Sequence, residues 1–133
     1  MSYKIVLDSC GELPQELKED SHFERVPLEL HVGEYRTWDD ESFDQADFLK
    51  RVAECPTCPK SACPSPERYM QSYDCGAEDI YVVTLSGNLS GSYNSANVGK
   101  GCFWRNIRRK MFLSVIPVRL LWGRRRLRFI FIS

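Results

Sequence analysis

Short apolar runs bounded by polar positions indicate the strands of this chain. Residues 3–8, YKIVLD, and residues 80–83, IYVV, are rich in β-branched side chains, and each run predicts a buried strand. Residues 23–31, FERVPLELH, alternate imperfectly and contain Pro27, which cannot donate to a ladder. We therefore predict one strand there, near a sheet edge. Gly33 then permits the chain to turn.

Four segments carry the end signals of helices. A short helix is predicted from Pro14, and a longer one from Ser42, whose capping-box partner is Gln45. A third helix is predicted from Ser65, and a fourth begins after the polar residues 86–92. The resulting order, β-α-β-α-α-β-α, predicts an α/β fold with a partly parallel sheet flanked by helices.

Polar turns are expected at the carboxyl edge of this sheet, where ligands of such folds usually bind. They are residues 8–9, residues 61–65 and residues 86–92. In the last of them, small hydroxyls and backbone N–H groups lie at a helix start, where the helix dipole stabilises an anion. Ser90, Gly91 and Ser92 are the first candidates for a carboxylate or phosphate site. The alternative is that Ser90 only caps the helix.

Composition narrows the class of protein. The 133 residues are 43% hydrophobic and 27% charged, which is typical of one soluble globular domain. Residues 1–100 contain no apolar run of the roughly twenty residues that a membrane helix needs. The start of the chain does not resemble a signal peptide, because its apolar run ends at Asp8. We therefore expect a cytoplasmic protein with no transmembrane segment.

Charge divides the chain into two parts. Residues 1–100 contain all 18 acidic residues and carry a formal charge of −9, whereas residues 101–133 carry +9. Such a split suggests either two unrelated parts or a basic tail that binds nucleic acid or an anionic membrane. That binding is one alternative function for the chain. Pro117 and Gly123 interrupt helical periodicity in the tail.

The cysteines allow a second alternative, a zinc-stabilised module. Residues 55–65 form a predicted Pro-rich loop in which Cys55 and Cys58 have metal-knuckle spacing, and Cys63 and Cys75 could complete a set of four. The second pair is too widely spaced for a zinc ribbon, and we favour reduced thiols without a metal. No Ser/His/Asp or Cys/His set indicates catalysis.

Five segments of residues 1–100 together resemble the DegV family of bacterial fatty-acid-binding proteins. They are YKIVLDSCGELP, VPLELHVGEYR, DESFDQADFLKRV, KSACPSPERYMQSY and IYVVTLSGNLSGSYNSA. The resemblance implies that residues 1–100 are the N-terminal α/β lobe of a two-domain protein that holds a long-chain fatty acid, such as palmitate, between its domains. It also implies a lipid-carrying, non-catalytic subunit that presents the fatty acid to a partner kinase, with no cofactor.

The same resemblance suggests which hydroxyls hold the fatty-acid carboxylate. Ser61 occupies the Thr place of the family's Thr-x-x-Pro-Ser loop, and Ser90 matches the hydroxyl of its Leu-Ser-Gly-Thr/Ser-Tyr turn. Ser9, Gly91 and Ser92 are additional candidates. A carboxylate needs only a few donors, while burial of the acyl chain contributes roughly 0.8 kcal/mol per methylene.

Residues 101–133 do not resemble the family. When the chain from Trp104 onward is back-translated and read one base earlier, permitted codons give EEYPEKNVFVRDSRSASVGET. This stretch contains acidic residues, and its Asp-Ser-x-Ser-Ala-Ser-x-Gly run again resembles DegV proteins. We therefore expect an out-of-frame, truncating tail from about residue 101, and impaired lipid binding in this chain.

Overall fold

Four parallel strands form the main sheet of the computed structural model, which describes residues 2–106 and 112–118. Its strand order is β2-β1-β6-β7, and a second sheet of three antiparallel strands has the order β4-β3-β5. Mixed α/β architecture with a partly parallel sheet is therefore confirmed. The elements are β1 (Tyr3–Asp8), α1 (Gln15–Lys18), β2 (Phe23–Val26), β3 (Glu29–Val32), β4 (Tyr35–Trp38), α2 (Gln45–Glu54), β5 (Lys60–Ala62), α3 (Pro66–Tyr73), β6 (Asp79–Leu85), α4 (Ser92–Asn106) and β7 (Phe112–Val118).

Apolar strand residues and two helices build the core of the main sheet. Val6 of β1 pairs with Val82 of β6, and both side chains are fully buried. Helices α3 and α4 pack closely because Gly99 has no side chain: a Cβ there would lie 2.8 Å from the Pro66 carbonyl oxygen. The Tyr73 hydroxyl donates to the Ala96 carbonyl of α4 at 3.0 Å. These two contacts hold α4 against α3.

The prediction of a single strand around Pro27 was wrong. Residues 23–31 form two strands, β2 and β3, which belong to different sheets. The chain leaves the main sheet at Pro27, and the Leu28 N–H donates to the Ser9 hydroxyl at 3.0 Å instead of to a strand. Only the edge position of β2 was predicted correctly. Gly33, at φ 58°, provides the tight turn between β3 and β4.

The predicted loop at residues 55–65 contains a strand. Lys60–Ala62 pairs with β3, and its three residues have no apolar alternation that would have revealed it. The predicted capping box at Ser42 was also wrong. Helix α2 begins at Gln45 and is capped by Asp44, whose side chain accepts from the Asp47 N–H, while Ser42 bonds to Asp40.

The starts of α3 and α4 were predicted correctly. Ser65 caps α3 by accepting from the Arg68 N–H, and Pro66 is its first residue. Helix α4 begins at Ser92, directly after the polar turn, and continues past residue 100 to Asn106. Phe103 lies in the core, 7% exposed. The predictions for residues 107–111 and 119–133 lie outside the described residues.

Candidate functional site

The carboxyl ends of β1 and β6 place two of the predicted polar turns side by side. These strands are parallel neighbours, with Leu7 opposite Val83, so Ser9 and the turn of residues 86–92 emerge at the same edge. Parallel strands end at one edge of a sheet, where ligand sites of this fold class form. The two turns therefore lie where such sites form, and their role in binding stays a prediction.

The Ser90 hydroxyl bonds to the first residue of α4. Its Oγ accepts from the Ser92 N–H at 3.2 Å and lies 3.1 Å from the Ser92 Oγ. The turn before it is closed by the Leu89 and Ser90 N–H groups, which donate to the Ser86 carbonyl at 2.8 and 3.0 Å. The single proton of the Ser90 hydroxyl can be directed to the Ser92 oxygen or to another acceptor. Gly91, whose carbonyl accepts from the Ser95 N–H, holds the N-cap position, and Ser90 precedes it.

The segment of residues 61–65 lies against the turn of residues 86–92. Cys63 contacts this turn, since a Cβ on Gly91 would lie 2.9 Å from its Sγ. The same sulfur lies 3.7 Å from the Ser95 Oγ on α4. Ser61, on β5 opposite Leu30, is exposed. Two segments separated by almost thirty residues in the sequence thus meet at one point of the surface.

A buried carboxylate that we did not single out from the sequence lies below the turn. Asp8, the last residue of β1, is 3% exposed, and its Oδ2 accepts from the Leu85 N–H at 2.7 Å. The Cys10 N–H and the Ser92 hydroxyl lie near it. Burial raises the pKa of Asp8 above its ordinary value, while the polar hydrogens of Leu85, Cys10 and Ser92 lower it. An aspartate that ends a buried strand was the available sequence signal.

Ser9 and Ser92 are both buried and already hydrogen-bonded. The Ser9 Oγ accepts from the Leu28 N–H, and its carbonyl accepts from Arg25 at 3.3 Å, so Ser9 joins β1 to the chain between β2 and β3. Ser92 is 0% exposed, and its Oγ lies 3.1 Å from the Ser90 Oγ. These contacts give both serines a structural role, and their ligand-binding role remains a prediction.

Tyr69 and Cys10 surround Asp8 with neutral groups. The buried Tyr69 hydroxyl lies near Ser92, but its geometry falls short of a hydrogen bond to any described residue. Burial raises its pKa, as does the Asp8 charge. Burial and the charges of Asp8 and Asp39 also raise the pKa of the Cys10 thiol to about 11. All six cysteines are free.

Residues 2–106 and 112–118 contain no group of three or more His, Cys, Asp or Glu side chains that could hold a metal ion. Of the cysteines considered for zinc, Cys63 lies against Gly91, whereas Cys55 lies near Gly33. Within the same residues, no helix is both long and apolar enough to cross a membrane.

Fold and site define an α/β protein whose hydroxyl-bearing loops meet at the carboxyl edge of a parallel sheet. The family model described as "Uncharacterised protein, DegV family" matches residues 2–112. The chain belongs to the DegV family. A DegV domain-containing protein of Streptococcus gordonii is 42% identical to it over 103 residues, which are 75% of this chain and 36% of that protein.

Solved structures of DegV proteins resemble the chain closely. A DegV family protein of Ruminococcus gnavus, refined with vaccenic acid, is 49% identical with a TM-score of 0.82, over 87% of this chain and 41% of that one. The Streptococcus pneumoniae Fatty Acid Kinase B3 protein, loaded with linoleic acid, is 31% identical with a TM-score of 0.76, over 90% and 43%. The chain spans less than half the length of these relatives.

Proposed function

We propose that this chain binds a long-chain fatty acid such as palmitate, and that Ser61 and Ser90 hold its carboxylate. The observation that carries the proposal is the contact of Cys63 with Gly91, because it brings the two hydroxyl-bearing segments together. Relatives that were solved with vaccenic and linoleic acid support the ligand class.

The chemistry of a fatty acid suits such a site. Two hydroxyl donors and the N-terminal end of α4 can hold a carboxylate without a cation. The Ser90 oxygen accepts from the Ser92 N–H, and its O–H can turn from the Ser92 Oγ to a bound carboxylate. Each methylene of the acyl chain that leaves water adds roughly 0.8 kcal/mol, so the tail supplies most of the affinity and the head group supplies orientation.

The proposed role is that of a carrier. A carboxylate held by hydroxyls undergoes no bond cleavage, and we propose that the fatty acid is presented to the catalytic subunit of a kinase in the cytoplasm. The similarity to Fatty Acid Kinase B3 supports this partner. No cofactor takes part in the proposed binding.

We also propose that the chain after about residue 100 is an out-of-frame tail and that this weakens lipid binding. The absence of acidic residues from 101–133 supports the proposal. The family-like sequence that appears when the codons are read one base earlier starts at Trp104, directly after the buried Phe103. The residues of α4 up to Phe103 would therefore still be in frame. Sequencing the gene tests this: a single-base slip near codons 101–104 is expected, and a continuous frame would contradict it.

Mass spectrometry of extracted lipid tests the function. We expect about one long-chain fatty acid per molecule in a frame-restored version, and much less in the 133-residue chain. Ser42→Ala is a suitable control, since Ser42 is exposed and bonds only to Asp40 among the contacts described. A frame-restored protein that purifies without lipid and takes up no added palmitate would contradict fatty-acid binding. Stoichiometric, tight retention by the 133-residue chain would contradict the impairment.

A further inference from the structure

The loop between α2 and β5 carries two cysteines and two prolines. Cys55 directly follows α2, and Cys58 comes shortly before β5 begins at Lys60. A proline follows each cysteine, and the chain bends at residues 56 and 57, between them. Because Pro56 fixes one backbone angle of this bend, part of the order that a ring-closing bond would require is already present. The two thiols therefore belong to one short, restrained segment.

Hydrogen bonds and packing fix the position of Cys55. Its N–H donates to the Arg51 carbonyl at 2.9 Å, which ties it to the last turn of α2. Its Sγ lies 3.1 Å from the Thr57 Oγ1, and a Cβ on Gly33 would lie 3.4 Å from the same sulfur. The Cys55 sulfur thus lies over the loop, beside the residue that precedes Cys58.

The two thiols have complementary properties. The hydrogen bond from the Thr57 hydroxyl lowers the pKa of Cys55, and so raises its share of thiolate, the form that attacks a disulfide. Cys58 is exposed and can meet a molecule from solution. An accessible thiol next to a second thiol that can resolve its adduct is the arrangement typical of redox-sensitive cysteine pairs.

The remaining cysteines lie in other elements. They are Cys10 after β1, Cys63 after β5, Cys75 after α3 and Cys102 in α4. The nearest of them in sequence, Cys63, is separated from Cys58 by β5, and its sulfur lies against Gly91 and 3.7 Å from the Ser95 Oγ. Cys55 is therefore the partner that the fold offers to Cys58.

We propose that Cys55 and Cys58 form a redox-active dithiol whose substrates are low-molecular-weight disulfides such as glutathione disulfide. The Cys58 thiolate attacks one sulfur of glutathione disulfide, and one glutathione leaves as a thiolate. Cys55 then attacks the Cys58 sulfur of this mixed disulfide, and the second glutathione leaves. The two protein thiols are oxidised to one disulfide, the glutathione disulfide is reduced to two thiols, and the two cysteine protons pass to the departing thiolates. This chemistry is independent of fatty-acid binding.

Tryptic mapping of the 133-residue chain tests the pairing. Cleavage after Arg51 and Lys60 releases VAECPTCPK, which contains both cysteines, while each of the other four cysteines falls in a peptide of its own. The chain is equilibrated with reduced and oxidised glutathione, and the remaining thiols are then alkylated. We expect VAECPTCPK to lack two hydrogen atoms and to carry no alkyl group.

The exposed Cys75 provides an internal reference in the same sample. VAECPTCPK should be oxidised at least about tenfold more than the Cys75 peptide, because its second step is intramolecular and has a high effective concentration. Dithiothreitol should restore both of its thiols. Alkylation of both cysteines to the extent seen for Cys75, or a separate glutathione on each, would overturn the proposal.

Matched variants separate an internal bond from general thiol oxidation. In Cys58→Ser the Cys55 thiol has no partner, so its peptide should no longer lose two hydrogen atoms. Cys75→Ser removes another exposed thiol and should leave the oxidation of VAECPTCPK unchanged. Loss of two hydrogen atoms in Cys58→Ser, or its disappearance in Cys75→Ser, would show that the pairing is wrong.

Amide NMR of the same chain follows the bond in the folded protein. A disulfide takes the Cys55 sulfur away from the Thr57 hydroxyl and from Gly33, so the amide resonances of Thr57 and Gly33 should shift on oxidation and return on reduction. Gly99, which lies between α3 and α4, should keep its resonance. Unchanged Thr57 and Gly33 resonances in a chain whose VAECPTCPK peptide is oxidised would contradict the position of Cys55 on which the proposal stands.

Discussion

Gly91→Ala tests the contact between the two hydroxyl-bearing segments. The added Cβ would lie 2.9 Å from the Cys63 Sγ, whereas non-bonded heavy atoms are comfortable at about 3.5–4.0 Å. The sulfur must therefore move away by roughly 0.6 Å or more. Rotation of the Cys63 side chain away from its preferred χ1 angle allows this movement and costs about 0.5–1.5 kcal/mol. Gly91 does not have a positive φ, so alanine adds no backbone strain. We expect a loss of about 1 kcal/mol in the free energy of unfolding.

Cys63→Ala provides the matched background for this measurement. Without the sulfur, the nearest atom to the new Cβ is the Cβ of residue 63 at 3.8 Å, which is an ordinary contact. Gly91→Ala should then cost almost nothing, and urea unfolding of the two single variants and the double variant gives the coupling energy. Additivity within about 0.3 kcal/mol would refute the proximity of the two segments.

Two other predictions concern stability. Gly99→Ala should destabilise the chain by about 1–3 kcal/mol, because its Cβ would lie 2.8 Å from the Pro66 carbonyl oxygen. Gly101→Ala, whose Cβ would have no atom within 4 Å, should instead stabilise α4 by about 0.5–1 kcal/mol. Thermal unfolding measures both changes, and equal effects would contradict the packing of α4 against α3. Although burial opposes it, hydrogen bonds from Lys4 and Ser72 lower the pKa of Glu24 below its ordinary value of 4.5. The stability that Glu24 contributes is present above pH 4.5 and is lost as the pH falls through the lowered pKa. Glu24→Gln should therefore be less stable at pH 7, and its free energy of unfolding should decrease less between pH 7 and acid pH. An unchanged decrease at acid pH would contradict this role of Glu24.

The sequence predicted those elements whose signals are local. Apolar runs located β1 and β6, and Ser65 followed by Pro66 located the start of α3, because caps and short buried strands depend on adjacent residues. The second sheet was missed, since β5 has only three residues and is held by pairing with β3. Pro27 was interpreted as a sign of an edge strand, whereas it marks the point where the chain changes sheets.

The candidate site was predicted in part. Ser90 and its turn could be identified because a hydroxyl-rich segment between a strand and a helix is a local pattern. That the Ser61 segment lies beside it through Cys63 depends on tertiary packing, which spacing along the chain does not encode. Asp8 was overlooked for the same reason: its hydrogen-bond partner Leu85 is 77 residues away in the sequence.

The affinity of palmitate for serine variants tests the central claim most directly. In the frame-restored protein, Ser61→Ala and Ser90→Ala should each raise the dissociation constant of palmitate by about ten- to a hundredfold, since each removes a hydrogen bond to a charged group. Ser42→Ala should bind palmitate like the unmodified protein. If Ser61→Ala and Ser90→Ala also bind palmitate with unchanged affinity while remaining folded, these two hydroxyls do not hold the carboxylate.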